Sequence, residues 1–152
     1  MYQTLIFLHS ILRWLVLLSL VIAVCRAARG YYRGKMFTAV DNAVRHWTAT
    51  IGHLQLMAGL VLYFQSPLVS FFLKNFDTAQ HSFDLVFFGM IHSLLMFVAI
   101  VVLTLGSALS KRRLADKSKF RTMLLWYAAA LLIIFIAIPW PFSPFVHRPY
   151  FR

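Results

Sequence analysis

Glutamate is absent from this sequence, aspartate occurs four times, and cysteine occurs once, at Cys25. A single cysteine excludes an internal disulfide, and it also excludes covalent attachment of a c-type haem, which needs a CxxCH motif. Charged residues make up only 12% of the 152 residues, whereas hydrophobic residues make up 61%. So few charges could not cover the surface of an ordinary soluble protein, and the composition is typical of a membrane protein.

Four long apolar stretches account for most of the hydrophobic residues. Each is close to the roughly 20 residues that an α-helix needs to cross about 30 Å of hydrocarbon. They predict membrane spans at about 5–24, 45–65, 85–109 and 122–139. We therefore expect an all-α fold, a four-helix transmembrane bundle that forms a single integral membrane domain over residues 1–152.

Basic residues are concentrated in the first and third connections between these spans, whereas the middle connection has only Lys74. These basic residues are Arg26, Arg29, Arg33, Lys35, Arg45, Lys111, Arg112, Arg113, Lys117, Lys119 and Arg121. The positive-inside rule places both basic connections in the cytoplasm and therefore both termini outside. We expect a multi-pass protein of the bacterial inner membrane whose basic connections contact lipid head groups, rather than a protein that binds nucleic acid.

Local signals predict where the helices begin and end. Asp41 or Asn42 can cap the second long helix, and Ser66-Pro67 should end it because proline cannot continue a helix. Thr78 can cap the third helix in the same way. The fourth is expected to end before Pro139.

Three histidines, His9, His53 and His92, lie inside the predicted spans. A polar side chain in the bilayer core is costly, so it normally faces the bundle interior and has a partner there. The aspartates lie outside the apolar stretches or at their edges, which points the histidines towards a metal. Copper and zinc also suit imidazole ligands, and hydrogen bonding between helices is the structural alternative. Haem iron held between facing helices is the interpretation that we favour.

Two imidazoles must lie at similar depth to hold one haem iron. With a helical rise of about 1.5 Å per residue, His92 lies at a depth similar to those of His9 and His53. We expect His9 and His92 to be the ligands, with His53 as the alternative to His9. Arg13 lies one turn from His9 on the same face and needs an anionic or carbonyl partner, such as a haem propionate or a quinone oxygen.

The first and third spans share a short pattern. Leu8-His9-Ser10-Ile11-Leu12 is similar to Ile91-His92-Ser93-Leu94-Leu95, and Ser66-Pro67 has a counterpart in Ser143-Pro144. The repetition suggests that the chain consists of two related helical hairpins.

Several short segments together resemble a group of short bacterial four-helix membrane proteins labelled cytochrome b-like. The segments are Leu8-His9-Ser10, Leu12-Arg13, Gly52-His53-Leu54-Gln55, Gly59-Leu60-Val61-Leu62-Tyr63-Phe64, Ser66-Pro67, His92-Ser93-Leu94 and Ser110-Lys111-Arg112. The resemblance covers nearly the whole chain and implies haem b as the cofactor. It marks as cofactor-binding residues His9, Arg13, His53, Gln55 and His92. It leaves out His46, His81 and His147.

The residues and the resemblance together predict a membrane b-type haem protein that relays electrons in or beside a bacterial respiratory chain. Quinone binding stays open. Such a chain is an electron-transfer protein or accessory subunit rather than a stand-alone enzyme, and its partner is a membrane redox protein or a larger complex. The alternative is a non-catalytic structural or assembly subunit, with the aromatic residues 71–76 and 140–151 as docking surfaces. Proton or metal-ion transport is disfavoured because carboxylates are missing from the spans.

Overall fold

The structure, a computed structural model, describes residues 2–141. Of these residues 87% are helical and none lies in a strand, so the all-α fold is confirmed. The chain begins with the long helices α1 (Tyr2–Tyr32) and α2 (Ala39–Gln65). Three short helices follow, α3 (Pro67–Lys74), α4 (Phe76–Ala79) and α5 (Phe83–Val86). A π-helical segment (Phe87–Ile91) leads into α6 (His92–Arg112), and α7 (Asp116–Ala137) is the last helix of the described part. The expected second Ser-Pro pair, Ser143-Pro144, and His147 lie outside the described residues.

The four long helices each pack against two of the others. Helix α1 packs against α2 and α7, and α6 packs against the same two helices. Consequently α1 and α6 lie on opposite sides of the arrangement, with their inner faces directed towards each other. Apolar side chains from α1, α6 and α7 fill the space between them, including the fully buried Leu20, Leu103, Met123 and Tyr127.

Helices α6 and α7 approach each other closely because the contact contains a glycine. A Cβ atom placed on Gly106 would lie 2.3 Å from the Cβ atom of Trp126, a distance that no side chain could accept. Small residues at contacts between apolar helices allow this kind of backbone approach. The close approach of α6 and α7 therefore depends on the missing side chain of Gly106.

Three helical stretches are long and apolar enough to cross a membrane: α1, the continuous run Phe83–Arg112, and α7. Helix α2 passes the same test only together with α3, from which it is bent by 61°. The outward faces of these helices carry many exposed large apolar side chains, such as Leu18 on α1 and Leu132 on α7. An apolar outer face suits contact with lipid rather than water.

The start of α2 differs from the expectation. Thr38 is the N-cap, and Asp41 is the third helical residue of a capping box in which each side chain bonds to the other's backbone N–H. The prediction that Asp41 or Asn42 caps this helix was therefore wrong by one turn. A threonine hydroxyl and a carboxylate three residues later satisfy two of the free N–H groups at a helix start, which neither alternative does alone.

Other helix ends show which signals were strong. Helix α2 ends at Gln65 and α7 ends at Ala137, as the prolines that follow them predicted. Thr78 is inside α4 and caps nothing, because the next helix begins after Ser82. Helices α1 and α2 also extend beyond their apolar stretches, where an ion pair of 2.7 Å joins Arg26 to Asp41. The salt bridge between Arg26 and Asp41 thus extends the contact between α1 and α2 beyond their apolar stretches.

Candidate functional site

A cavity of about 260 Å³ lies among the four long helices. Its lining is mostly apolar, but the polar residues on it include His9, Arg13, Gln55 and His92. Four of the five residues predicted to bind a cofactor therefore share one cavity. Among the described residues that line it there is no aspartate, and the two imidazoles and the guanidinium share the wall with the phenol groups of Tyr2 and Tyr63.

His92 is held by the end of another helix. Its Nδ1 atom donates a hydrogen bond of 2.8 Å to the carbonyl oxygen of Ala137, the last residue of α7. In a continuing helix that carbonyl would accept from the N–H of residue 141, but Pro141 has no N–H. The bond places the proton of His92 on Nδ1 and leaves Nε2 with a lone pair. Histidines that bind metals are commonly oriented in this way, with the other ring nitrogen donating to a backbone carbonyl.

The carbonyl of Phe135 in α7 also lacks its usual helical donor, because the residue four positions later is a proline. Pro139 cannot donate to Phe135, and the indole Nε1–H of Trp140 does so instead, at 2.8 Å. The sequence Pro139-Trp140-Pro141 therefore ends α7. Its indole donates to the carbonyl of Phe135, and the carbonyl of Ala137 accepts from His92. This signal was present in the sequence, but its connection to His92 requires the packing of α6 against α7.

The π-helical segment directly before His92 is fixed from outside. The hydroxyl of Tyr63 donates to the carbonyl of Gly89 at 2.8 Å. The ring of Phe72 lies so close to Gly89 that a Cβ atom there would be 2.3 Å from it. Helices α2 and α3 thus hold a segment whose wider turn changes the register of α6 just before its histidine. Single π turns inside helices are frequently found at functional sites.

His9 enters the cavity from the opposite helix and contacts α2. Its Nε2 lies 3.3 Å from the side-chain nitrogen of Gln55, and that nitrogen also donates to the His9 carbonyl oxygen at 3.1 Å. Gly59 provides the space for the ring, because a Cβ atom there would be 3.3 Å from Cε1 of His9. The imidazole therefore lies against α2.

Arg13 lines the same cavity from α1. Its guanidinium carbon lies 5.6 Å from the centre of the Trp14 ring, and Trp14 in turn meets Trp140 edge-on with ring centres 5.9 Å apart. A cation over an aromatic face is stabilised by the ring quadrupole. The arrangement keeps a positive charge at the cavity wall, where it can attract the anionic part of a ligand.

His53 does not line the cavity. It is exposed on the outer surface, and its Nε2 lies 2.9 Å from the hydroxyl oxygen of Thr104. That hydroxyl gives its only proton to the carbonyl of Ile100, so His53 must be the donor. The structure therefore makes His53 a hydrogen-bond link between α2 and α6, the interhelical role that is common for histidine in membranes. His46 and His81 are also exposed.

The charge count missed one buried group. Arg45 was assigned to a basic connection, but it lies in α2 and is only 5% exposed. Its guanidinium donates to the side chain of Asn42 and to the carbonyl and hydroxyl of Ser107. The Tyr127 hydroxyl donates to the Arg45 carbonyl at 2.6 Å. The Asn42–Arg45 spacing of three residues was the available signal, because it puts both side chains on one helix face.

Among residues 2–141, no group of three or more histidine, cysteine or carboxylate side chains is placed to hold a metal ion. The pair that shares a cavity is His9 and His92. Comparison with protein families, characterised proteins and solved structures gave no match. The functional argument therefore depends on the cavity and on four of its polar residues, His9, Arg13, Gln55 and His92.

Proposed function

We propose that this chain is a four-span protein of the bacterial inner membrane that binds haem b without a covalent bond and relays electrons. The observation that carries the proposal is the imidazole of His92, which is fixed by its bond to Ala137 and keeps a lone pair on Nε2. His92 lines a mostly apolar cavity, and His9 lines the same cavity from the opposite helix. Four-helix bundles in other proteins hold haem between facing helices with such side chains.

The donor set fits the group. His92 has the proton placement that is common in histidines that bind metals, and a second imidazole is available on α1. Arg13 supplies a positive charge that can bind a propionate. Apolar side chains make up most of the wall, which matches the porphyrin face and excludes water from it.

The haem, when bound, would supply the one-electron chemistry. The residues of this chain would do the rest. The imidazole of His92, oriented by its bond to Ala137, would hold the iron, while Arg13 would neutralise an acidic side group of the haem. The buried, low-dielectric wall would raise the cost of any uncompensated charge and so influence the potential at which an electron is accepted.

The setting supports electron relay rather than stand-alone catalysis. The apolar helices suit a lipid bilayer, and the two basic connections suit its cytoplasmic surface. We propose that the partner is a membrane redox protein or a larger respiratory complex, which reaches the cavity from within the membrane or from its outer surface.

An absorption spectrum of the purified protein in detergent tests this function. We expect sharp reduced-minus-oxidised bands of a b-type haem, either as isolated or after addition of haem to the haem-free protein. A folded preparation that is colourless and takes up no haem would contradict the proposal. Such a result, together with stable co-purification of another membrane protein, would favour a structural or assembly subunit.

A further inference from the structure

The amide of Gln55 has a defined orientation. Its nitrogen lies within hydrogen-bonding distance of the His9 carbonyl oxygen, which can only accept. The amide oxygen therefore cannot occupy this position, although the two amide atoms are otherwise hard to distinguish. The same nitrogen lies 3.3 Å from His9 Nε2. Because an amide nitrogen only donates, Nε2 must be the accepting nitrogen of His9, and the proton must lie on Nδ1.

That proton has no acceptor among the described residues. His9 Nδ1 is buried without a hydrogen-bond partner, and so is the amide oxygen of Gln55. Nδ1 lies beside Gly59, since a Cβ atom there would be 3.7 Å away from it. The ring is therefore held against α2 by one hydrogen bond on Nε2, with its other nitrogen unsatisfied. A buried donor without a partner carries a free-energy cost, which a different ring position could relieve.

The two histidines of the cavity consequently differ in whether their Nε2 lone pair is free to bind a metal. His92 has its proton engaged by Ala137 and its Nε2 lone pair uncommitted by that bond. His9 has its Nε2 lone pair engaged by Gln55 and its proton unengaged. A metal ion that coordinates both imidazoles could bind the free lone pair of His92 directly. It could bind His9 only after the hydrogen bond to Gln55 is broken.

We propose that Gln55 is a positioning residue that holds His9 away from the cofactor, so that His92 binds haem iron first and His9 joins only when its hydrogen bond to Gln55 breaks. The haem part of this proposal rests on the proposed function, whereas the protonation state of His9 does not. Gln55 would thus set the balance between coordination by one histidine and coordination by two.

The protonation state can be measured on haem-free protein by NMR of ¹⁵N-labelled histidine. We expect the His9 signal, assigned by its loss in His9→Asn, to show a protonated Nδ1 and a hydrogen-bonded Nε2. Gln55→Met should move the Nε2 signal towards that of a free lone pair. Thr104→Ala is the matched control, because it removes the partner of His53 and should leave the His9 signal in place. A protonated Nε2 in the wild type, or a His9 signal that ignores Gln55→Met, would overturn the proposal.

Haem titration tests the second part. Loss of one hydrogen bond that competes with iron should raise the affinity for haem about two- to tenfold and should increase the low-spin fraction. Gln55→Asn retains the amide but is one methylene shorter, so it should act in the same direction if Gln55→Met does not fold. Equal affinity and equal low-spin fraction in the wild type and the variants would overturn the positioning role. If no variant binds haem while the NMR result holds, the proposed function fails and the role of Gln55 as a hydrogen-bond partner of His9 stands.

Discussion

Hydrogen-bond partners distinguish three histidines that are chemically identical. His92 donates to a helix end, His9 accepts from an amide, and His53 donates to a hydroxyl on the outer surface. The sequence placed all three inside helices and favoured His9 and His92 over His53, but it could not show which bonds each ring makes. These bonds depend on the packing of α6 against α7 and on the π turn before α6, and neither can be seen in the apolar pattern around each histidine.

Replacing His92 is the most direct test of this distinction. His92→Ala should abolish the low-spin haem spectrum, because it removes the imidazole that is prepared for iron. It also leaves the Ala137 carbonyl without this donor, at a cost of about 1–3 kcal/mol in unfolding free energy, so circular dichroism should confirm that the helices remain.

His53→Ala is the matched control for that experiment. It also removes an imidazole that bonds between two helices, here α2 and α6, but this one lies outside the cavity, and Thr104 keeps its bond to Ile100. The spectrum should therefore persist. Low-spin haem that survives in His92→Ala and disappears in His53→Ala would reverse the assignment.

At the scale of helices, termination was predictable and initiation was not. A proline ends a helix for a covalent reason, so α2 and α7 stopped where the sequence indicated. A helix start depends on which of several polar side chains reaches the free N–H groups, and Thr38 with Asp41 does so better than the residues that were expected. The bend between α2 and α3 could not be predicted in size, because Ser66-Pro67 permits many angles.

The close contact between α6 and α7 leads to a prediction about a single glycine. Gly106→Val should lower the unfolding free energy by about 1–3 kcal/mol, since the new side chain would meet the Cβ and backbone of Trp126 rather than a movable chain end. Ala108→Val on the exposed side of the same helix is the control and should change stability little. Thermal unfolding in detergent, followed by circular dichroism, measures both. Equal melting temperatures for the two variants would mean that α6 and α7 are further apart than described.

For the whole molecule, composition carried more information than any motif. The low number of charges and the long apolar stretches were sufficient to predict helices that could span a membrane. The cavity could be anticipated only in part. Its histidines and Arg13 stood out because they were rare polar residues in apolar surroundings, whereas Arg45 was hidden among the many basic residues at the helix ends. Burial of Arg45 depends on Ser107 and Tyr127, which are distant in sequence.

The distribution of charge predicts the orientation of the chain. In a Cys25→Ser background, Lys74→Cys should react with a membrane-impermeant thiol reagent in intact cells, because it lies in the connection with few basic residues. Lys117→Cys lies in a basic connection and should react only after the membrane is permeabilised. The two single variants serve as controls for each other. Labelling of the Lys117 site from outside would invert the topology.

The bond between His92 and Ala137 also has a consequence for the order of events during biosynthesis. Its two residues are 45 positions apart. At about 5–20 residues per second, the ribosome needs roughly 2–9 s to proceed from one to the other. His9 and Gln55 can meet as soon as the first two helices are made, but His92 cannot acquire its orientation until α7 has been completed and has docked. The nascent chain therefore passes through a period in which His92 is already present and not yet oriented, and a ribosome that stalls within α7 would leave it in that state.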